Sequence, residues 1–177
     1  MKIMVMLLLS LVNLDAKTFT WRIDEISSNL SRQEASQVIK SAWQQWERFV
    51  YVEDEYIEGG DAEVTFRWLQ GDHNDGWPFD GPGGVLAHTL DSRNPYPWKD
   101  QIHFDLDDDW GNTEKFYSIV VHEIGHILGL QHTKSFDSIM YPFYHPTRYF
   151  TPEDIQNVSK FWPMKIRIKL PERKERQ

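Results

Sequence analysis

The chain has 177 residues, 27 acidic against 19 basic, a formal net charge of −8 and no cysteine. That length suits one domain with its own core, and 40% hydrophobic content with 8 Trp, 7 Tyr and 10 Phe argues against disorder. Residues 165–177 hold six Lys/Arg against two Glu, a local +4, so the rest carries −12; that argues against nucleic acid and suits cations, and disulfides are excluded outright.

Residues 1–16 read as a secretory signal: Lys2 supplies the positive start, Ile3 to Leu9 with Leu11 and Val12 the apolar run, and Ala16 a small residue for cleavage. The run is too short to span a bilayer, so a secreted, extracellular protein is expected, with a buried N-terminal strand as the alternative. Phe19–Ile23 alternates as a strand does. Ser31 and Glu34 form a capping box, and Ala35, Val38, Ile39, Ala42, Trp43, Trp46, Phe49 and Val50 follow at helical spacing. Val64–Trp68 alternates again, so a strand–helix–strand crossover is expected. Residues 71–84 form a loop rich in Gly, Asp and Pro that needs something to hold it. Val85–Thr89 and Gln101–Phe104 predict two short strands, and a helix is expected from Phe116 to about Leu130. Thr151 caps a last helix, with Pro152 in its first turn and Ile155, Val158, Phe161 and Trp162 facing inward. The boundaries read 17–163 for a single folded domain and 164–177 for a basic tail, either a strand or a mobile end. Asn29 and Asn157 head glycosylation sequons.

The chemistry concentrates in His122, Glu123, His126, Gly129 and His132. His122 and His126 are four apart, so on a helix they share one face and can bind one metal. Gly129 can take a positive φ, which lets the chain leave the helix and bring His132 round as a third ligand. Three neutral imidazoles leave Zn²⁺ its full charge and an open fourth position, where Glu123 can reach a water. The expected chemistry is hydrolysis. A silent binding module on the same scaffold is the alternative, but it has no need of a base at Glu123.

This zinc motif, followed by Ser138, Ile139, Met140, Tyr141 and Pro142, resembles the metzincin metalloproteases and, within them, the matrix metalloproteinase or matrixin family, over roughly residues 18–162. The resemblance implies an α/β (α+β) fold: a twisted mixed five-stranded sheet with three helices and a cleft between a large upper and a small lower subdomain. It implies a zinc endopeptidase acting on a protein or peptide bound as an extended strand, with Glu123 as general base and Met140 packed beneath the metal in the Met-turn. A monomer is expected.

Further sites follow from the resemblance. His73, Asp75, His88 and His103 correspond to a structural zinc, a closed set of four ligands. Asp80, Asp105 and Asp108, with the carbonyls of Gly81, Gly83 and Val85, correspond to a calcium site; the acidic run 105–109 reads equally as a solvated loop. The family's second calcium site is built on glycine carbonyls and an aspartate, whereas residues 91–100 hold Asp100 but no glycine. Leu86 and Ala87 correspond to the substrate-binding edge, Pro142 and Tyr144 to the wall of the P1′ pocket, and Ser118 to its floor. A small floor residue predicts a deep pocket. The usual thiolate-on-zinc latency has no cysteine to act through, so either the protein is made active or control is expected from compartment, calcium supply or an inhibitor.

Overall fold

The computed structural model describes residues 15–27, 29–90, 100–146 and 149–165. Most of residues 1–16, where a signal is expected, residues 91–99 and the expected tail from 166 onward lie outside the described residues.

Strand β1 (Lys17–Ile23) leads into helix α1 (Arg32–Glu47), followed by strands β2 (Val52–Tyr56), β3 (Val64–Leu69), β4 (Ala87–Leu90) and β5 (Gln101–Asp105), then helices α2 (Thr113–Ile127) and α3 (Pro152–Val158). The strands form one sheet in the order β2-β1-β3-β5-β4. Four run parallel, and β4 pairs antiparallel with β5 at the edge, Thr89 opposite Ile102. The expected five-stranded mixed sheet with three helices is the architecture found.

Helix α1 starts where its capping box directs: Ser31 accepts from the Glu34 N–H, and the Glu34 carboxylate accepts from the Ser31 N–H. Ala35, Ile39, Ala42, Trp43 and Trp46 form its buried stripe. The helix stops at Glu47, earlier than the apolar spacing suggests, because Val50 turns away to bridge Met164. Strand β2 carries Glu53, Asp54 and Glu55 and gives no apolar alternation, so the sequence did not reveal it; pairing with β1 makes it a strand. On β3 the alternation holds, with Val64, Phe66 and Trp68 buried.

Trp68, Phe104, Trp110 and Phe116 pack with ring centroids 4.7–6.4 Å apart, binding β3 and β5 to the start of α2. The Trp46 indole N–H donates to the Val121 carbonyl at 3.0 Å, which fixes α1 against α2. Two expectations are corrected. Val85 is 47% exposed and precedes β4, and Phe161 is 57% exposed because α3 ends at Val158, so the helical period no longer carries its ring inward. Among the described residues no helix is long and apolar enough to cross a membrane.

Candidate active site and metal centres

Helix α2 is started by Asn112, whose side chain accepts from the Glu114 and Lys115 N–H groups. It ends as the sequence predicts: Gly129 has φ +96°, its N–H donates to His126, and the Leu130 N–H reaches back to Gly125. The turn brings His132 to the helical pair. The Nε2 atoms of His122, His126 and His132 lie 3.1, 3.1 and 3.2 Å apart.

The protons of two rings can be assigned. His122 Nδ1 lies 2.7 Å from the Ile139 carbonyl and His126 Nδ1 2.9 Å from the Leu130 carbonyl. A carbonyl only accepts, so both protons sit on Nδ1 and the two Nε2 lone pairs face each other. Lone pairs this close need a cation between them. A tetrahedral zinc with nitrogen ligands at about 2.0–2.1 Å would space them by about 3.3 Å. The residues fit the ion. Burial pushes the His122 pKa down to about 4, and those of His126 and His132 also fall, burial being the leading cause. Neutral imidazole, the ligand form, therefore prevails at neutral pH.

Glu123 is buried, and burial raises its carboxyl pKa, against the opposing pull of His126 and a hydrogen bond from Thr89. It lines a cleft of about 940 Å³ together with the three imidazoles, Leu86, Ala87, Ser118, Pro142 and Tyr144. Beneath the site Met140 is fully buried, and Gly125 makes room for it: a Cβ at Gly125 would stand 2.5 Å from the Met140 sulfur. The Met140 N–H donates to Ser138 Oγ, and Asp154 accepts from Ser138 Oγ and the Ile139 N–H. Sequence reasoning missed Thr89 and Asp154 as parts of this site. The Thr151–Asp154 capping box was legible, but not its second use.

The other histidine cluster also assembles. Asp75 Oδ2 is 2.8 Å from His73 Nε2, 2.8 Å from His88 Nε2 and 2.9 Å from His103 Nδ1. Gly71 O accepts from His73 Nδ1 and Gln101 Oε1 from His103 Nε2, so the inward nitrogens keep their lone pairs. Burial alone would raise the Asp75 carboxyl; the Trp77 N–H and His88 outweigh it and hold the pKa at about 2. Burial takes His103 down to about 3. Four donors without an open side suit a structural zinc.

Asp80, Asp105 and Asp108 do not converge in this way. Among the described residues, only the two histidine groups bring three or more such ligand atoms within 4.8 Å of one another. The aspartates instead accept from backbone: Gly81 N–H on Asp105, Gly83 N–H on Asp108 and Val85 N–H on Asp80. Asp108 Oδ2 is buried without a partner, while Lys115 lies 3.3 Å from its other oxygen.

A histidine pair on a helix, a third histidine past a glycine turn, and a methionine turn below them on this mixed sheet define the metzincin class of metalloproteases. Residues 13–162 match the description of the matrixin family. Human matrix metalloproteinase-26 is 34% identical over 163 residues, 87% of this chain and 61% of that protein. Rat matrilysin is 33% identical over 155 residues (83% and 57%), and pig interstitial collagenase 37% over 131 (71% and 27%). The chain thus spans about three-fifths of the length of the first relative and about a quarter of the collagenase. The chain belongs to the matrixin family, a family of metalloproteases.

Proposed function

We propose that this protein is a secreted zinc-dependent endopeptidase that cleaves extended polypeptides. One observation carries the reading: a buried glutamate, next in sequence to the first of three imidazoles whose Nε2 atoms converge, opens onto a cleft beside a sheet edge. His122, His126 and His132 would hold the ion. When bound, zinc supplies a Lewis acid that polarises a carbonyl and acidifies a water near neutral pH.

The chain's own residues do the rest. Glu123, with its carboxyl pKa raised by burial, takes the proton of the attacking water and returns it to the leaving amine. The substrate lies along Leu86 and Ala87 as an added strand, since among the described residues β4 pairs with β5 alone. Pro142, Tyr144 and the small Ser118 shape the pocket for the P1′ side chain. His73, Asp75, His88 and His103 hold a structural zinc that orders the loop of residues 71–84. Calcium at Asp80, Asp105 and Asp108 is supported by the unpartnered Asp108 oxygen. Export is supported by the apolar run at residues 3–9.

The test is hydrolysis of a quenched fluorescent peptide library by zinc-loaded wild type and Glu123→Ala, with and without chelator. Wild type should cleave, while the chelated protein is silent and the variant falls by about 10²–10⁴-fold. Comparable turnover by the variant would remove Glu123 from its role. A zinc-loaded wild type that binds peptides without cleaving them would make the protein a binding module.

A further inference from the structure

Glu123 belongs to α2, yet its carboxylate is held from another element. On β4, His88 and Thr89 are consecutive residues of an extended strand, so their side chains leave opposite faces. His88 reaches Asp75 in the second histidine cluster, and Thr89 reaches Glu123. The Thr89 hydroxyl stands 2.7 Å from Glu123 Oε2 and 3.2 Å from the Glu123 carbonyl. A hydroxyl has one proton to give, and the shorter contact, to the carboxylate, is the stronger.

The donor is itself fixed. Threonine is branched at Cβ and stiff about χ1, and pairing with Ile102 sets its register. Glutamate, by contrast, is a long side chain with rotamers to spare, and the helix alone does not choose among them. With Oε2 tied down, Oε1 is the oxygen left to serve the cleft.

We propose that Thr89 is a positioning residue for the reaction: its hydroxyl pins one oxygen of Glu123 and so aims the other at the proton to be transferred. This rests on the endopeptidase reading above, and it adds a residue that lies outside the zinc motif.

The test compares zinc-loaded wild type with Thr89→Val, which keeps the shape and removes the hydroxyl, and Thr89→Ser, which restores it. Thr89→Ala replaces the valine variant should that one not fold. On a cleaved peptide, valine should lower kcat by about tenfold or more with KM within about twofold, and serine should return kcat to within about threefold of wild type. A second readout needs no turnover: the affinity of the zinc-loaded protein for acetohydroxamate, a small chelator whose proton needs an acceptor beside the metal. Glu123→Gln sets its full loss, and valine should weaken it where serine does not. Equal kcat and equal hydroxamate affinity in valine and wild type would overturn the proposal. So would a serine variant as impaired as valine, since bulk rather than the hydroxyl would then matter. Should wild type cleave nothing, the hydroxamate series still decides whether Thr89 holds Glu123, and the endopeptidase reading falls separately.

Discussion

Replacing Asp154 by alanine tests whether the floor of the candidate active site is hung from the last helix. The side chain is fully buried and accepts from Ser138 Oγ, from the Ile139 N–H at 3.3 Å, and from the Thr151 N–H and hydroxyl at 2.7 Å each. The variant keeps one half of the capping box, the Asp154 N–H on Thr151 Oγ1, so no separate cap loss applies. The two hydroxyls can rotate to other acceptors, but the two amides cannot. Ile139 is buried and Thr151 half-buried, so at about 1–3 kcal/mol for the first stranded amide and about 1 kcal/mol, the low end, for the second, the expected loss is about 2–4 kcal/mol. A second effect follows from Ile139, whose carbonyl takes the Nδ1 proton of His122. Once Ile139 is released, the imidazole loses its orientation and zinc affinity should fall about 10–100-fold. Urea unfolding at fixed free zinc measures the first effect, and chelator competition the second. A stability loss below about 1 kcal/mol together with unchanged zinc affinity would refute the link from α3 through Ile139 to His122.

Gly125→Ala would set a methyl 2.5 Å from the Met140 sulfur and 3.1 Å from Trp46, both fully buried, so overpacking should cost about 1–3 kcal/mol in thermal unfolding. An unchanged Tm would show slack beneath α2. For chelated protein the pH dependence has a definite sign. Unfolded imidazoles gain protons near pH 6.5, whereas folded His122 does so near 4 and His103 near 3. The unfolded chain therefore binds more protons in that window, and stability falls as pH drops from about 6.5 toward 4, by up to about 1.4 kcal/mol per pH unit for each such imidazole. A urea midpoint that stays level between pH 7 and 5 would contradict this, and His103→Gln should flatten its share of the slope.

Much of the candidate site was legible because its geometry is local. Two histidines four apart and a glycine past the helix end determine most of the triad, and Gly129 takes the positive φ that its place demanded. Strand β2 was hidden for the opposite reason. Its acidic residues obey no apolar period, and only pairing with β1, with Asp54 accepting from the Trp21 indole at 2.8 Å, makes it part of the sheet. Charged side chains on such an edge also discourage further pairing, so the same feature that obscured β2 suits its position. Phe161 misled through too long an extrapolation: the helical period holds only as far as the helix does.

The second histidine cluster draws its ligands from a loop and two strands, and no period in the sequence connects them; the family resemblance supplied the link. Neither source singled out Thr89, which reaches across 34 positions to its partner. Strand geometry makes the connection once β4 is in place. Because neighbouring residues on a strand face opposite ways, the clamp on His88 and the hold on Glu123 are two ends of one short lever. Loosening the cluster around Asp75 should therefore be felt at the Glu123 carboxylate, and a lower hydroxamate affinity in zinc-loaded Asp75→Asn would register it.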